Sequence, residues 1–281
     1  MSGNGHVAGP SYRGPSAVGD DLRRFWGLTW MLAVTDFKLR FFGSALGYVW
    51  TLMRPLLLFG VLYFVFTEVV RIGGDIKHYP VYLLASIVMF TFFSETTSRG
   101  VTSLVERENL LRKVRFPRLV IPLSVALHAL FNLGLNMIVV FVFVIASGIE
   151  PRLSWLELIP LLALLVIFAT GVAMFVAALY VRYRDIQPIW EVAVQILFYA
   201  SPVIYVATFL PDNIEREAMA NPLAAIFTQV RHAVIDPEAP TAATVIGEGW
   251  RLVLPFAVVA ATFALGLWVF AREAPRIAED L

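Results

Sequence analysis

The chain has 281 residues, 59% of them hydrophobic, 14% aromatic and 15% charged, with a formal net charge of +1. So large an apolar share exceeds what a water-soluble domain of this length buries in one core, which makes a soluble fold the minority reading. Cysteine is absent, so disulfides, thiolate-bound metal and thiol nucleophiles are excluded together.

Residues 1–20 are rich in Gly, Ser and Pro and lack the apolar stretch of a signal peptide, so they read as a disordered cytoplasmic tail. From 21 to 42, Trp26, Trp30, Val34, Phe37 and Phe41 recur at helical spacing, with Arg24, Lys38 and Arg40 among them. This pattern predicts an amphipathic interface helix at headgroup depth, its tryptophans in the aromatic belt and its basic residues toward anionic lipid. A cytoplasmic helix packed on another subunit would give the same pattern. Gly43, Ser44 and Gly47 then loosen the helix where the chain turns to span.

Six long apolar runs follow, and a spanning helix needs roughly 20 such residues. They predict an all-α membrane protein with six transmembrane helices, at about 48–70, 79–99, 119–147, 157–181, 187–207 and 251–271. The run from Phe41 to Thr67, which holds most of the first span, contains one charge, Arg54; a charge at mid-bilayer costs about 2.5–3.5 kcal/mol, so runs this clean are selected ones. With the N-terminus inside, 16 of the 22 Lys and Arg fall on the cytoplasmic side. The positive-inside rule therefore predicts both termini, including the tail at 273–281, in the cytoplasm.

Between the second and third spans, residues 106–117 read as a short amphipathic helix in a loop, ended where Pro117 disfavours helix at Phe116. A solvated loop whose charges merely set topology reads equally well. The external segment 211–236 reads as a short polar helix, a break at Asn221–Pro222, and an apolar helix too short to cross, which fits a re-entrant or interfacial pair.

Polar residues inside spans are expensive and therefore informative. His128, Asn132 and Asn136 share one face of the third span, Gln187, Glu191, Gln195 and Tyr199 one face of the fifth, and Thr91 and Glu95 one face of the second. Interhelical hydrogen bonding and the lining of a wet path are both open readings. Phe59, Tyr63 and Phe66 on the first span, with Tyr199 and Tyr205 at the end of the fifth, are the aromatic candidates for such a lining, since ring faces pack on sugar C–H faces. Lipid-facing or core packing is the plainer role. The histidines are scattered, so no metal centre and no catalytic residue is expected, and nothing points to nucleic acid.

Four motifs in order, Ser44-Ala-Leu-Gly-Tyr-Val-Trp50 with Arg54-Pro55, Leu110-Leu-Arg-Lys-Val-Arg-Phe-Pro117, Tyr183-Arg-Asp185, and Ser201-Pro-Val-Ile-Tyr205, resemble the membrane subunit of type-2 ABC exporters. They cover nearly the whole of 21–272. The closest likeness is to the O-antigen and teichoic-acid polysaccharide branch, and more narrowly to actinobacterial permeases for cell-wall galactan. The resemblance implies a homodimer around a central channel in a bacterial cytoplasmic membrane. Two copies of a separate ATPase subunit would carry ATP and Mg, and the cargo would be a lipid-linked polysaccharide of the polyprenyl-pyrophosphate type. It also implies that Glu106, Arg107, Leu110, Leu111, Arg112, Lys113, Arg115 and Phe116, flanked by Arg184 and Asp185, couple the chain to that ATPase. Independently, none of the three lysines, Lys38, Lys77 and Lys113, is followed by Ser or Thr, so the chain has no phosphate-cradling Walker motif. The alternatives are a type-2 exporter for small lipids or drugs and, more remotely, an ATP-independent transporter or integral-membrane enzyme.

Overall fold

The computed structural model describes residues 22–41, 47–71, 76–108, 110, 117–247 and 249–273. Among these there are ten α-helices and no strand. They are α1 (Leu22–Phe41), α2 (Gly47–Phe64, extended by a π turn to Val69), α3 (Tyr79–Glu106), α4 (Val120–Ala146), α5 (Leu158–Arg182, led in by a 3₁₀ turn from Leu153) and α6 (Ile186–Ala200). The short α7 (Asp212–Ala218), α8 (Pro222–Val230, extended by a π turn to Ile235) and α9 (Ala242–Ile246) precede α10 (Leu254–Glu273), which is entered through a 3₁₀ turn from Gly249.

Five of these elements are long and apolar enough to cross a membrane: Val49–Val69, Tyr79–Glu106, Val120–Ala146, Leu153–Arg182 and Gly249–Glu273. The run expected to span at 187–207 is shorter. Its helix, α6, stops at Ala200 after 15 residues, roughly 22 Å at the α-helical rise. Pro202 disfavours helix at the residue before it, and Ser201 is extended (φ −97°, ψ 149°). The run stays apolar past the break because Val203, Val206 and Ala207 are buried inside the protein, not because they meet lipid.

α3 is the hub. It packs against α4 and α5 most extensively and against α2 and α6 less, and most of it is buried, whereas α2 and α10 keep open outer faces. A membrane supplies no hydrophobic drive between helices, so close backbone approach must hold them. At the α5–α10 crossing a Cβ on Gly171 would lie 2.7 Å from Phe263 Cα, and one on Gly266 would run into the Gly171 carbonyl. At the α3–α5 crossing, a Cβ on Gly100 would lie 2.8 Å from Ala173 Cβ.

Two further apolar clusters define the ends of the bundle. At one end Phe25 of α1, Leu104 of α3, Val120 and Ile121 of α4, Ala177 and Val181 of α5, and Phe270 of α10 pack together. At the other, Ala207, Met219, Ala224, Val245 and Ile246 close the segment of short helices.

Candidate functional site

The polar stripes of α3 and α4 face each other across their shared contact. Asn132 Nδ2 donates to both oxygens of Glu95, at 3.1 and 3.0 Å. Arg99 Nε lies 3.5 Å and His128 Nε2 4.0 Å from Glu95 Oε1, and Asn136 donates to the Asn132 carbonyl at 2.8 Å. Asn132 and Asn136 are buried; Asn132 is spent on the α3–α4 pairing, and Asn136 bonds back to its own helix. A cavity of about 50 Å³ remains beside it, lined by Arg54, Thr91, Glu95, Asn132 and Asn136 among others. It has room for a water molecule.

The stripe continues toward the end marked by Phe25 and Phe270. Arg107 pairs with Asp36 of α1 and donates to Ser124 Oγ of α4 at 2.8 Å. Arg107 is therefore an internal tie among α1, α3 and α4. Glu106 accepts from Thr102 at 2.7 Å, and Leu110 packs on the apolar cluster at this end. Arg184 caps the Tyr180 ring at 5.0 Å and Asp185 is exposed at the start of α6. Leu111, Arg112, Lys113, Arg115 and Phe116 lie outside the described residues.

α1 runs along α4. The face it buries carries Phe25, Thr29 and Ala33, one position before the tryptophan stripe read from sequence. Trp26 is exposed. Trp30 is also exposed but sets its ring edge-on to Phe131. Phe37 meets Phe131 and His128, Lys38 is exposed, and the Arg40 side chain lies outside the described residues.

The aromatic candidates of α2 turn inward: Phe59 stacks on Tyr63 and meets Phe143 edge-on, both at 5.7 Å, and Phe66 packs on the same core. The α6 stripe does the opposite. Glu191, Gln195 and Tyr199 are all exposed, and Val194 is the only described α6 residue that is buried. Gln187 donates to Glu191 at 3.2 Å, and the partly buried Tyr205 donates to the Tyr199 carbonyl at 3.2 Å. Polar side chains rarely face acyl chains, so this face suits water or another polypeptide.

The broken end of α6 is held by two tyrosines missed in the sequence. Tyr79 Oη donates to the Ile204 carbonyl at 2.8 Å, and Tyr82 Oη donates to the carbonyls of Pro202 and, at 3.1 Å, Tyr205. The Arg231 guanidinium lies over the Tyr82 ring at 5.9 Å and 3.8 Å from Asp236, which in turn sits 3.7 Å from Lys77. The start of α3, the α6 break and the π turn after α8 are thus one assembly, hydrogen-bonded at the break and held at the π turn by a cation–ring contact and ion pairs. The available signal was the pair of tyrosines one helical turn apart beside Pro80, and Asp36 as an acid on a basic, aromatic helix.

A multi-pass all-α membrane protein with a short helix broken before a proline and an exposed polar face is a transporter-like arrangement, and similarity narrows the class. The ABC-2 type transporter family model matches residues 27–235. The chain is 34% identical to the O-antigen export system permease protein RfbA of Klebsiella pneumoniae over 199 residues, 70% of this chain and 75% of the relative. It is 30% identical over 226 residues to the protein of the same name from Myxococcus xanthus, covering 79% and 85% of the two chains. To the polysialic acid transport protein KpsM of Escherichia coli it is 23% identical over 210 residues, covering 73% and 80%. The chain belongs to the ABC-2 type transporter family.

Proposed function

We propose that this chain is the membrane subunit of an ATP-driven exporter that carries a lipid-linked cell-surface polysaccharide, of the polyprenyl-pyrophosphate type, across a bacterial cytoplasmic membrane. Two copies pair around a channel, and two copies of a separate ATPase subunit, holding ATP and Mg, dock at the end where α3 and α5 terminate. Both chain termini lie on that cytoplasmic side. The observation that carries the reading is the exposed α6 face with Glu191, Gln195 and Tyr199, in a chain whose family is that of ABC-2 transporters and whose relatives are named for O-antigen and polysialic acid transport. Polar amides and phenol rings form a surface that a hydrated glycan slides along without fixed bonds.

The test is depletion of this chain in its native cell. Surface polysaccharide should fall while lipid-linked polymer accumulates on the cytoplasmic face, scored by labelling intact against permeabilised cells. Polymer that still reaches the surface at the normal rate would remove the cargo assignment.

A further inference from the structure

We infer a phospholipid-binding site at the end of the bundle that carries α7 to α9, with the phosphodiester held between Arg216 and Arg251 and an acyl chain in the slot beneath. Two adjoining hollows define it. The upper is a cleft of about 410 Å³ lined by Asn213, Arg216, Glu217, Trp250 and Arg251 among others. The lower is a slot of about 170 Å³ whose walls include Leu161, Leu164, Ala225, Ala243, Phe256 and Val259. Ile246 lines both.

The order of these residues along α10 matches the depth profile of a lipid. Arg251 and Trp250 precede the helix, and Phe256 and Val259 lie in its first turns, roughly 8 and 12 Å further along at the helical rise. Leu161 and Leu164 occupy the first two turns of α5 in the same way, so the slot lies at acyl-chain depth and the cleft at headgroup depth. The slot is also apolar. Gln229, the one polar side chain lining it among the described residues, donates to Glu157 at 2.7 Å and accepts from the Ala242 amide at 3.0 Å. In the cleft, neither Arg216 nor Arg251 forms an ion pair among the described residues, and both are exposed. Two guanidiniums on separate elements suit a phosphodiester, which accepts a forked hydrogen bond from each. Trp250, 71% exposed beside them, is the amphipathic ring that favours this depth. Glu217 on the same wall makes the cleft mixed in charge, so it accepts an ammonium and favours phosphatidylethanolamine over phosphatidylglycerol. The site needs only a membrane, and it stands or falls independently of what the protein exports.

The experiment is native mass spectrometry on the full-length chain in detergent, delipidated and titrated with palmitoyl-oleoyl phosphatidylethanolamine. One lipid per chain should bind in preference to the rest. The Arg216→Gln/Arg251→Gln variant should weaken that step about tenfold, the scale of a lost charge-assisted pair. Ala243→Phe, a substitution at an exposed position on the slot, should weaken it comparably without altering charge. Unchanged melting in lipid-free detergent establishes that both variants fold. Wild-type affinity in both variants, or displacement of the lipid by inorganic phosphate alone, overturns the site. Equal affinity for palmitoyl-oleoyl phosphatidylglycerol overturns the role of Glu217.

Discussion

Gly134 and Gly171 look alike in sequence, each a glycine inside a long apolar run. Their surroundings differ. Around a Cβ on Gly134 nothing lies within 4 Å, whereas one on Gly171 meets α10 backbone. Gly134→Ala should therefore leave thermal stability level or slightly raised, since alanine is the better helix former by about 1 kcal/mol. Gly266→Val should destabilise by about 1–3 kcal/mol or more, because backbone on the facing helix cannot move aside as a flexible side chain can. Melting curves in detergent check both, and a Gly266→Val protein as stable as wild type would contradict the close crossing. The same contrast explains the polar residues. Spacing alone placed Asn132, Asn136 and Gln195 on faces that avoid lipid, but only their neighbours separate Asn132, spent on Glu95 of α3, and Asn136, bonded back to its own helix, from Gln195, left exposed.

At the scale of elements, long uncharged runs are a direct record of the absence of water at membrane depth, which is why α3, α4, α5 and α10 could be read from composition. α6 could be read as a helix, but its early end at Ala200 could not. Ser201 to Ala207 is as apolar as a span because it is buried under α3 and α8, and hydropathy does not distinguish protein interior from lipid. Pro202 was the one local signal of the break. The tyrosine clamp on this break carries a prediction: removing both hydroxyls with Tyr79→Phe/Tyr82→Phe leaves the buried carbonyls of Pro202 and Ile204 without these donors. An orphaned buried carbonyl costs about 1–3 kcal/mol, so amides from 203 to 210 should exchange with deuterium at least several-fold faster while those of α3 stay protected. Exchange unchanged across that segment would show that the clamp does not hold it.

For the whole molecule, the exposed surface divides into a part that lipid satisfies and a part that it does not. The apolar side chains on the outer faces of α2 and α10 need nothing beyond acyl chains, although α2 also exposes Arg54. The α6 face with Glu191 and Gln195 does, and in the proposed assembly it meets a channel shared by two copies. Composition conveys the class of such a protein but not its partners, because polar groups facing a channel, a second copy or an ATPase leave similar traces in one chain. In the proposed assembly the loop after α3 transmits the strokes of the ATPase. Arg112→Ala/Lys113→Ala/Arg115→Ala should therefore cut export at least about tenfold while membrane insertion and the ATPase's own hydrolysis persist, as measured by paired export and phosphate-release assays. Wild-type export by that variant would remove the coupling role.

In the proposed assembly this chain is a passive half-conduit whose work comes from a separate ATPase. Proteoliposomes containing the chain, loaded with radiolabelled lipid-linked polymer on one face, measure it directly. Polymer should cross only when the ATPase subunit, ATP and Mg are all supplied, and should remain in place when any one is withheld. Crossing at the same rate by the chain alone would contradict the account.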